Sequence, residues 1–291
     1  MKVSGFTFLR NGQKLGYPFV ASLRSILPIV DEFVIALGPC DDDTEKVLRE
    51  IGNPKIHVIP TYWNEHIRPD YSVKGFVYGQ QKMIALFNCT GDWAFYLEAD
   101  EVLHEDDLPK IRAAMENHLD DGRVEALAFD FRHFYGNKDT IVWSPGWYRS
   151  EVRIIRNTIP VWSSESLFFN VVVSHKKSRQ PRAAHTGATI FHYGWVRSEA
   201  QMNLKSAAVL KYWQNRPSAA VDYSNIDATA LQPFTGTHPK AVQDWLPKVE
   251  GIFQADPNHK LTPREKKHRR MRWLEKIFGL RFNKKHYRLI R

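Results

Sequence analysis

The order of apolar segments in the first hundred residues constrains the fold of this chain more than any other feature. Strand-like runs at 3–9, 32–37 and 55–59 alternate with segments whose apolar residues recur at helical spacing, at 15–27 and after a turn at 40–44. Strands that alternate with helices build a mostly parallel sheet with helices on both faces. We therefore predict an α/β fold.

The fourth predicted strand carries the most informative chemistry. Residues 93–97 form an aromatic and aliphatic run that ends at Glu98, Asp100 and Glu101. Ligands of open α/β sheets bind at the carboxyl ends of strands, and residues i and i+2 of a strand point the same way, so Glu98 and Asp100 can share one partner. Carboxylates on so short a span suit Mg²⁺ or Mn²⁺ carrying a substrate phosphate. Alternatively, these acids belong to the start of a helix, where negative charge is favoured.

Two common phosphate-binding motifs are missing from this half of the chain. It contains neither G-x-G-x-x-G nor G-x-x-x-x-G-K-[ST], so neither a dinucleotide-binding fold nor a P-loop is expected. A sugar nucleotidyltransferase would share the sheet and the metal, but it would normally carry a glycine-rich loop after the first strand. Residues 9–13 contain a single glycine.

Four short motifs follow one another along the predicted elements. Arg10-Asn11 ends the first strand, Cys40-Asp-Asp-Asp-Thr44 forms a turn, Gln81-Lys82-Met83 lies on a helix and Glu98-Ala-Asp100-Glu101 ends the fourth strand. This series resembles the nucleotide-sugar half of the family-two glycosyltransferases, which have the GT-A fold. The resemblance covers residues 3–103.

The resemblance implies a transferase that moves a sugar from a nucleotide-diphosphate sugar to a hydroxyl group, with Mn²⁺ or Mg²⁺ as cofactor. It assigns direct metal ligation to Asp100. Glu98 would contact the ribose or a metal-bound water, and Lys82 would contact the diphosphate. The residues implied to bind the nucleotide sugar are Arg10, Asn11, Asp42, Lys82 and Glu98.

One departure from the family pattern concerns the nucleobase of the donor. The family usually places an acid that reads the base at the end of the second strand, and Leu37 stands at that position here. The identity of the nucleobase is therefore left open.

The resemblance also implies an inverting reaction, in which a carboxylate takes the proton of the acceptor hydroxyl. Glu165 is the first candidate for this base, because Trp162-Ser-Ser-Glu165 resembles an element of lipopolysaccharide-core members of the family. Glu151 is the rival candidate. Either residue could instead be a surface acid or pair with Arg149 or Arg153.

His192 is a candidate for a further metal ligand. It ends the apolar run 188–191 and comes before a glycine. A lone histidine in such a place can equally be a hydrogen-bonded structural residue, so both interpretations stay open.

The positive charge of the chain is concentrated at its C-terminal end. Residues 263–291 contain 12 Lys or Arg and 2 Asp or Glu, a net charge of +10, whereas the rest of the chain has a net charge of −1, which together give the +9 of the whole chain. Met271, Leu274 and Phe278 fit one face of a helix that Gly279 could end. This tail suits an anionic membrane surface. A helix docked on the domain by its apolar face and contact with nucleic acid are the alternatives.

We divide the chain into a catalytic domain at 1–215 and a connector with a basic helical extension at 216–291. No apolar run approaches 18 residues and no cleavable signal sequence is evident, so we expect a cytoplasmic protein, peripheral at the inner face of the cytoplasmic membrane. The expected acceptor is a cell-surface glycan or a lipid-linked glycan, and no nucleic acid is expected. The rival hypothesis from another class is a non-catalytic membrane-binding or nucleic-acid-binding protein that acts through its tail.

Overall fold

The structure is a computed structural model that describes residues 1–67, 74–213, 220–246 and 253–290. In the first part of the chain, strands and helices alternate. The elements are β1 (Val3–Leu9), α1 (Phe19–Ile26), β2 (Glu32–Leu37), α2 (Thr44–Glu50), β3 (Ile56–Pro60), α3 (Phe76–Phe87), β4 (Trp93–Tyr96), β5 (Glu101–Leu103) and α4 (Leu108–Asn117), with 3-10 turns at Leu27–Ile29 and Glu105–Asp107.

The second part of the chain is richer in strands. Its elements are β6 (Ala126–Tyr135), β7 (Thr140–Val142), β8 (Ser150–Arg156), β9 (Val161–Trp162), β10 (Asn170–Ser174), β11 (Lys177–Arg179), β12 (Arg182–Trp195), α5 (Glu199–Trp213), β13 (Leu231–Pro233), α6 (Pro263–Phe278) and β14 (Arg288–Leu289), with 3-10 turns at Ala228–Ala230 and Lys240–Val242.

One large sheet runs through the molecule. Its first strands have the order β3-β2-β1-β4 and are parallel. Strand β8 then lies antiparallel between β4 and β6. Strand β12 runs parallel to β6 and antiparallel to β5. The carboxyl ends of β1 and β4 therefore open at one edge of the sheet, with the carboxyl-terminal part of β12 close by.

The core lies on both faces of this sheet, because successive strand residues point to opposite sides. On β2, Phe33 and Ile35 pack with α1, α2 and α4. Val34 and Ala36 of the same strand pack with α3 instead. The predicted α/β class, with helices on both faces of the central sheet, is confirmed.

The predicted C-terminal helical extension is also confirmed. Helix α6 begins with a capping box, in which the Thr262 side chain accepts from the backbone amide of Glu265 and the Glu265 side chain accepts from that of Thr262. It ends at Gly279, whose φ of 64° is the left-handed conformation that glycine adopts readily. None of the described helices has the length and hydropathy that a membrane crossing requires.

Helix α6 docks on the rest of the chain through charged side chains. Arg272 Nη2 lies 2.7 Å from Oδ2 of buried Asp227, and Glu275 Oε1 lies 2.5 Å from Nη1 of buried Arg149. Met271 and Leu274 of the helix are half-buried, whereas other apolar side chains on and just after the helix face outward. Those exposed by more than half are Trp273 (60%), Ile277 (53%), Phe278 (63%) and Leu280 (53%).

The chain after α6 returns to the sheet. Strand β14 pairs in parallel with the start of β12, and Tyr287 is buried there. The boundary predicted between residues 215 and 216 falls within 214–219, outside the described residues, so the division into two parts stays a prediction.

Candidate functional site

A cavity of about 660 Å³ opens where β1 and β4 end. Arg10 follows β1, and Glu98 and Asp100 follow β4, so the cavity lies at the sheet edge where α/β proteins bind ligands. Helix α5 forms a wall and contributes Lys205. Aromatic side chains make up much of the remaining lining: Tyr17, Trp63, Tyr78, Tyr96, Trp147, Tyr148, Trp195, Tyr212 and Trp213.

Asp100 is the centre of the polar part of this cavity and is only 4% exposed. Its Oδ2 accepts a hydrogen bond of 2.7 Å from Nζ of Lys205, and its Oδ1 lies 3.7 Å from Nε2 of His192. Burial alone would raise the pKa of the Asp100 carboxyl, but the Lys205 ammonium outweighs it and holds the pKa well below its ordinary value. Asp100 is therefore a carboxylate at neutral pH.

His192 lies against a second histidine that the sequence analysis did not identify. The Nδ1 atoms of His133 and His192 are 2.9 Å apart, and Nε2 of His133 lies 2.6 Å from the backbone oxygen of Tyr148. Burial lowers the pKa of both rings, so both are neutral near pH 7. The pair comes from adjacent strands, because β6 and β12 place residues 133 and 192 in register.

Asp100 and His192 fit a shared divalent cation. Gly194 lets both side chains lie close to the backbone, because a Cβ there would lie 2.5 Å from Nε2 of His192 and 3.0 Å from Oδ2 of Asp100. Among the residues that the structure describes, no group of three or more His, Cys, Asp and Glu side chains could hold a metal. Mg²⁺ and Mn²⁺ suit this situation, since one or two protein ligands commonly share such an ion with water and substrate phosphates.

The two glutamates around Asp100 have different surroundings. Glu101 is fully buried, and its Oε1 lies 2.6 Å from Nη2 of Arg153. Glu98 faces the cavity with its Oε1 3.4 Å from the same Arg153 nitrogen. Burial and the Glu101 carboxylate raise the pKa of Glu98 to about 8, despite the opposing charge of Arg153. Glu98 can therefore donate as well as accept a hydrogen bond at neutral pH.

Of the five predicted nucleotide contacts, Arg10, Asn11 and Glu98 line the cavity, whereas Asp42 and Lys82 do not. Nη1 of Arg10 lies 2.6 Å from Oε1 of Glu65 and 3.0 Å from the Tyr212 hydroxyl, which ties the end of β1 to α5. Asn11 also lines the cavity and has a φ of 53°. Asp42 is not part of the lining; its carboxylate accepts from two backbone amides, at 2.7 and 3.0 Å, and shapes the turn before α2.

Lys82 does not reach the cavity. It is fully buried, its Nζ donates to the backbone oxygen of Ser166 at 2.9 Å, and the ammonium lies 3.6 Å from the ring centre of Phe169. Burial, together with the charge of Arg153, holds the pKa of Lys82 well below its ordinary value. The structure therefore does not bring Lys82 to the position of a diphosphate contact, because its ammonium is buried and lies outside the cavity lining.

The structure separates the two candidate bases. Glu165 is half-buried beside Ser166 and Leu167, which line the cavity, and no described residue forms a hydrogen bond or ion pair with its carboxylate. Glu151 is buried away from the cavity, and its Oε2 lies 2.6 Å from Nδ1 of His286. Glu165 stays available for proton transfer, whereas Glu151 already shares a hydrogen bond with His286 of the C-terminal segment.

Comparisons with known proteins give distant structural likenesses only. No protein-family model and no curated protein matches the chain. A solved structure of glucosyl-3-phosphoglycerate synthase from Mycobacterium tuberculosis, in complex with Mn²⁺, UDP and glucosyl-3-phosphoglycerate, matches at 19% identity and a TM-score of 0.32, over 46% of this chain and 45% of that one.

TarS from S. aureus matches at 17% identity with a TM-score of 0.39, over 72% of this chain and 40% of that chain. Its fragment 1–349 in complex with UDP matches at 17% identity and a TM-score of 0.37, over 54% and 47%. This chain thus spans less than half the length of these solved proteins. The TM-scores are low, so any function has to rest on the site itself.

Proposed function

We propose that the chain is a divalent-metal-dependent glycosyltransferase of the GT-A type, which moves a sugar from a nucleotide-diphosphate sugar to a hydroxyl of its acceptor. The observation that carries the proposal is the arrangement of Asp100, His192 and Gly194 at the carboxyl ends of β1 and β4. It combines a carboxylate and an imidazole that both line the cavity, at the edge of the sheet where a phosphate-bearing ligand would enter.

Glycosyl transfer needs a neutralised leaving group, and the cavity supports this requirement. A divalent cation at Asp100 and His192 would supply charge stabilisation for the departing diphosphate. Arg10 and Lys205 line the same cavity and would add fixed positive charge beside the phosphates. The aromatic lining offers rings such as Trp147 that can stack on the apolar face of a sugar.

Glu165 is the proposed base of an inverting reaction. Its carboxylate carries no partner among the described residues, and its neighbour Ser166 lies in the cavity wall, so the carboxylate can accept the proton of an acceptor hydroxyl near the cavity mouth. Glu151 is the weaker proposal, since His286 already hydrogen-bonds to it. The nucleobase stays open: Leu37 presents no hydrogen-bonding side chain at the end of β2.

A thermal-shift screen of nucleoside diphosphates, with and without Mn²⁺, tests the proposal. At least one nucleotide should raise the melting temperature of the wild type only when Mn²⁺ is present, since a ligand at a hundred times its dissociation constant stabilises the native state by about 2.7 kcal/mol. Asp100→Ala should abolish this shift. Asp120→Ala removes an exposed aspartate elsewhere and should leave it unchanged. An absent shift in the wild type, or an equal shift in Asp100→Ala, rejects the proposal.

We further propose that the acceptor is a lipid-linked or cell-surface glycan, of the lipopolysaccharide-core kind, met at the cytoplasmic face of an anionic membrane. The support comes from α6, whose charged face is bonded to the domain while Trp273, Ile277 and Phe278 are exposed among basic side chains. Interfacial helices combine outward apolar side chains with lysine and arginine in this way. Residues 216–291 would then be an extension that presents this surface beside the catalytic domain at 1–215.

A further inference from the structure

We propose that His133 is a positioning residue that fixes the tautomer of His192, so that Nε2 of His192 offers a lone pair to a cation shared with Asp100. The inference rests on the proposed metal-dependent function and names a further residue on which that metal site depends. It follows from the direction of the hydrogen bonds in a chain of three groups.

The series of hydrogen bonds starts at the backbone carbonyl oxygen of Tyr148, which can only accept a hydrogen bond. Nε2 of His133 lies 2.6 Å from the backbone oxygen of Tyr148, so this nitrogen carries the proton. His133 is buried among aromatic rings and forms no ion pair with any described carboxylate, so its imidazole is neutral. A neutral imidazole has a single ring proton, and its other nitrogen is an acceptor. Nδ1 of His133 must therefore accept.

The direction of the next bond is then settled. Nδ1 of His192 is 2.9 Å from Nδ1 of His133, so the His192 nitrogen donates. Neutral His192 consequently has no proton on Nε2. That atom lies 3.7 Å from Oδ1 of Asp100, beyond a hydrogen bond of about 2.7–3.2 Å. Two electron-pair donors that approach each other without a proton between them are suited to share a cation.

The surroundings of His133 hold its ring in place. The residue is 2% exposed, and its ring centre lies 5.6 Å from that of Phe131, 5.2 Å from that of Trp147 and 4.7 Å from that of Tyr148. Residues behind a metal-binding histidine commonly set its ring orientation and its basicity. Fixed packing and a fixed hydrogen-bond direction therefore give His133 the properties of such a residue.

The test uses full-length protein without metal and two substitutions at one position. His133→Leu removes the acceptor, whereas His133→Gln keeps one acceptor and one donor on its side-chain amide. Nitrogen-15 NMR of the histidine rings reports which nitrogen of His192 is protonated, and Mn²⁺ titration followed by electron paramagnetic resonance reports affinity. We expect protonated Nδ1 in the wild type. His133→Leu should shift the proton to Nε2 and weaken Mn²⁺ binding about ten- to a hundredfold, and His133→Gln should restore most of both.

Two results would overturn the inference. One is a wild-type His192 that carries its proton on Nε2 in the metal-free protein. The other is a folded His133→Leu protein that binds Mn²⁺ like the wild type. The proposed function fails separately, if the wild type binds no Mn²⁺ in the presence of any nucleoside diphosphate. The NMR measurement needs neither metal nor activity, so it judges the role of His133 even then.

Discussion

At the scale of single residues, each oxygen of the Asp100 carboxylate lies beside a different side chain. Lys205 donates to Oδ2 at 2.7 Å, while Oδ1 lies near Nε2 of His192. An ionised carboxylate has about four lone-pair positions, so one oxygen can keep the lysine while the other ligates a cation. Lys205 therefore orients Asp100 without occupying the oxygen that faces His192.

Gly194 lets the His192 imidazole lie close against the backbone. It is not among the glycines with a positive φ, so its backbone conformation tolerates alanine, but a Cβ would lie 2.5 Å from Nε2 of His192. We expect Gly194→Ala to weaken Mn²⁺ affinity at least about tenfold, because the methyl group displaces the imidazole from its position. Titration with Mn²⁺ by electron paramagnetic resonance measures the effect.

Gly122→Ala is the matched control for this substitution, since a Cβ there would meet nothing within 4 Å. It should bind Mn²⁺ like the wild type. Wild-type affinity in a folded Gly194→Ala protein would show that Mn²⁺ binding does not depend on the position of the His192 imidazole.

At the scale of elements, the site depends on the register between strands that are distant in sequence. Residue 133 on β6 lies opposite residue 192 on β12, and residue 192 also lies opposite Glu101 on β5. Helix α5 closes the cavity from the other side through Lys205. A histidine near the end of a strand such as 126–135 gives no sign of its partner until this register is known.

Helix α6 is the element that we expect to bind membranes. Replacing Trp273, Ile277 and Phe278 together with serine removes the exposed apolar side chains and leaves every ion pair of the helix intact. Binding to vesicles that contain anionic phospholipid should fall at least about tenfold, since a loss of 1.4 kcal/mol of burial already has that effect. Co-sedimentation with the vesicles measures it.

Phe87→Ser is the control, because Phe87 is equally exposed, at 65%, but lies at the end of α3. Its vesicle binding should match that of the wild type. The membrane proposal is wrong if the triple substitution binds as tightly as the wild type, or if Phe87→Ser loses as much affinity as the triple substitution does.

At the scale of the whole molecule, the α/β architecture could be predicted because strand and helix periods alternate cleanly up to residue 103. The second part was harder to predict because its buried strand β8 carries charged residues. His286 hydrogen-bonds to Glu151 and Glu101 forms an ion pair with Arg153, and these partners lie far away in sequence. The ion pairs of α6 were equally out of reach, because Arg149 and Asp227 lie far from the helix in sequence.

The candidate site was predictable in part, because two of its residues carry local signals in the sequence. Asp100 follows a strand end and His192 ends an apolar run, and both local signals led to residues that the fold brings to within 3.7 Å. Lys82 shows the limit of such reasoning. A lysine on a helix reads as solvated or as a phosphate contact, and nothing local reveals that its ammonium will lie against the rings of Tyr96 and Phe169.

The most direct measurement is anomalous X-ray scattering from Mn²⁺ in a crystal grown with the nucleoside diphosphate that stabilises the protein most. We expect one strong anomalous peak about 2 Å from both Oδ1 of Asp100 and Nε2 of His192, with the diphosphate completing the coordination. A bound nucleotide whose Mn²⁺ lies elsewhere, or a nucleotide bound in this cavity without any anomalous peak, would contradict it.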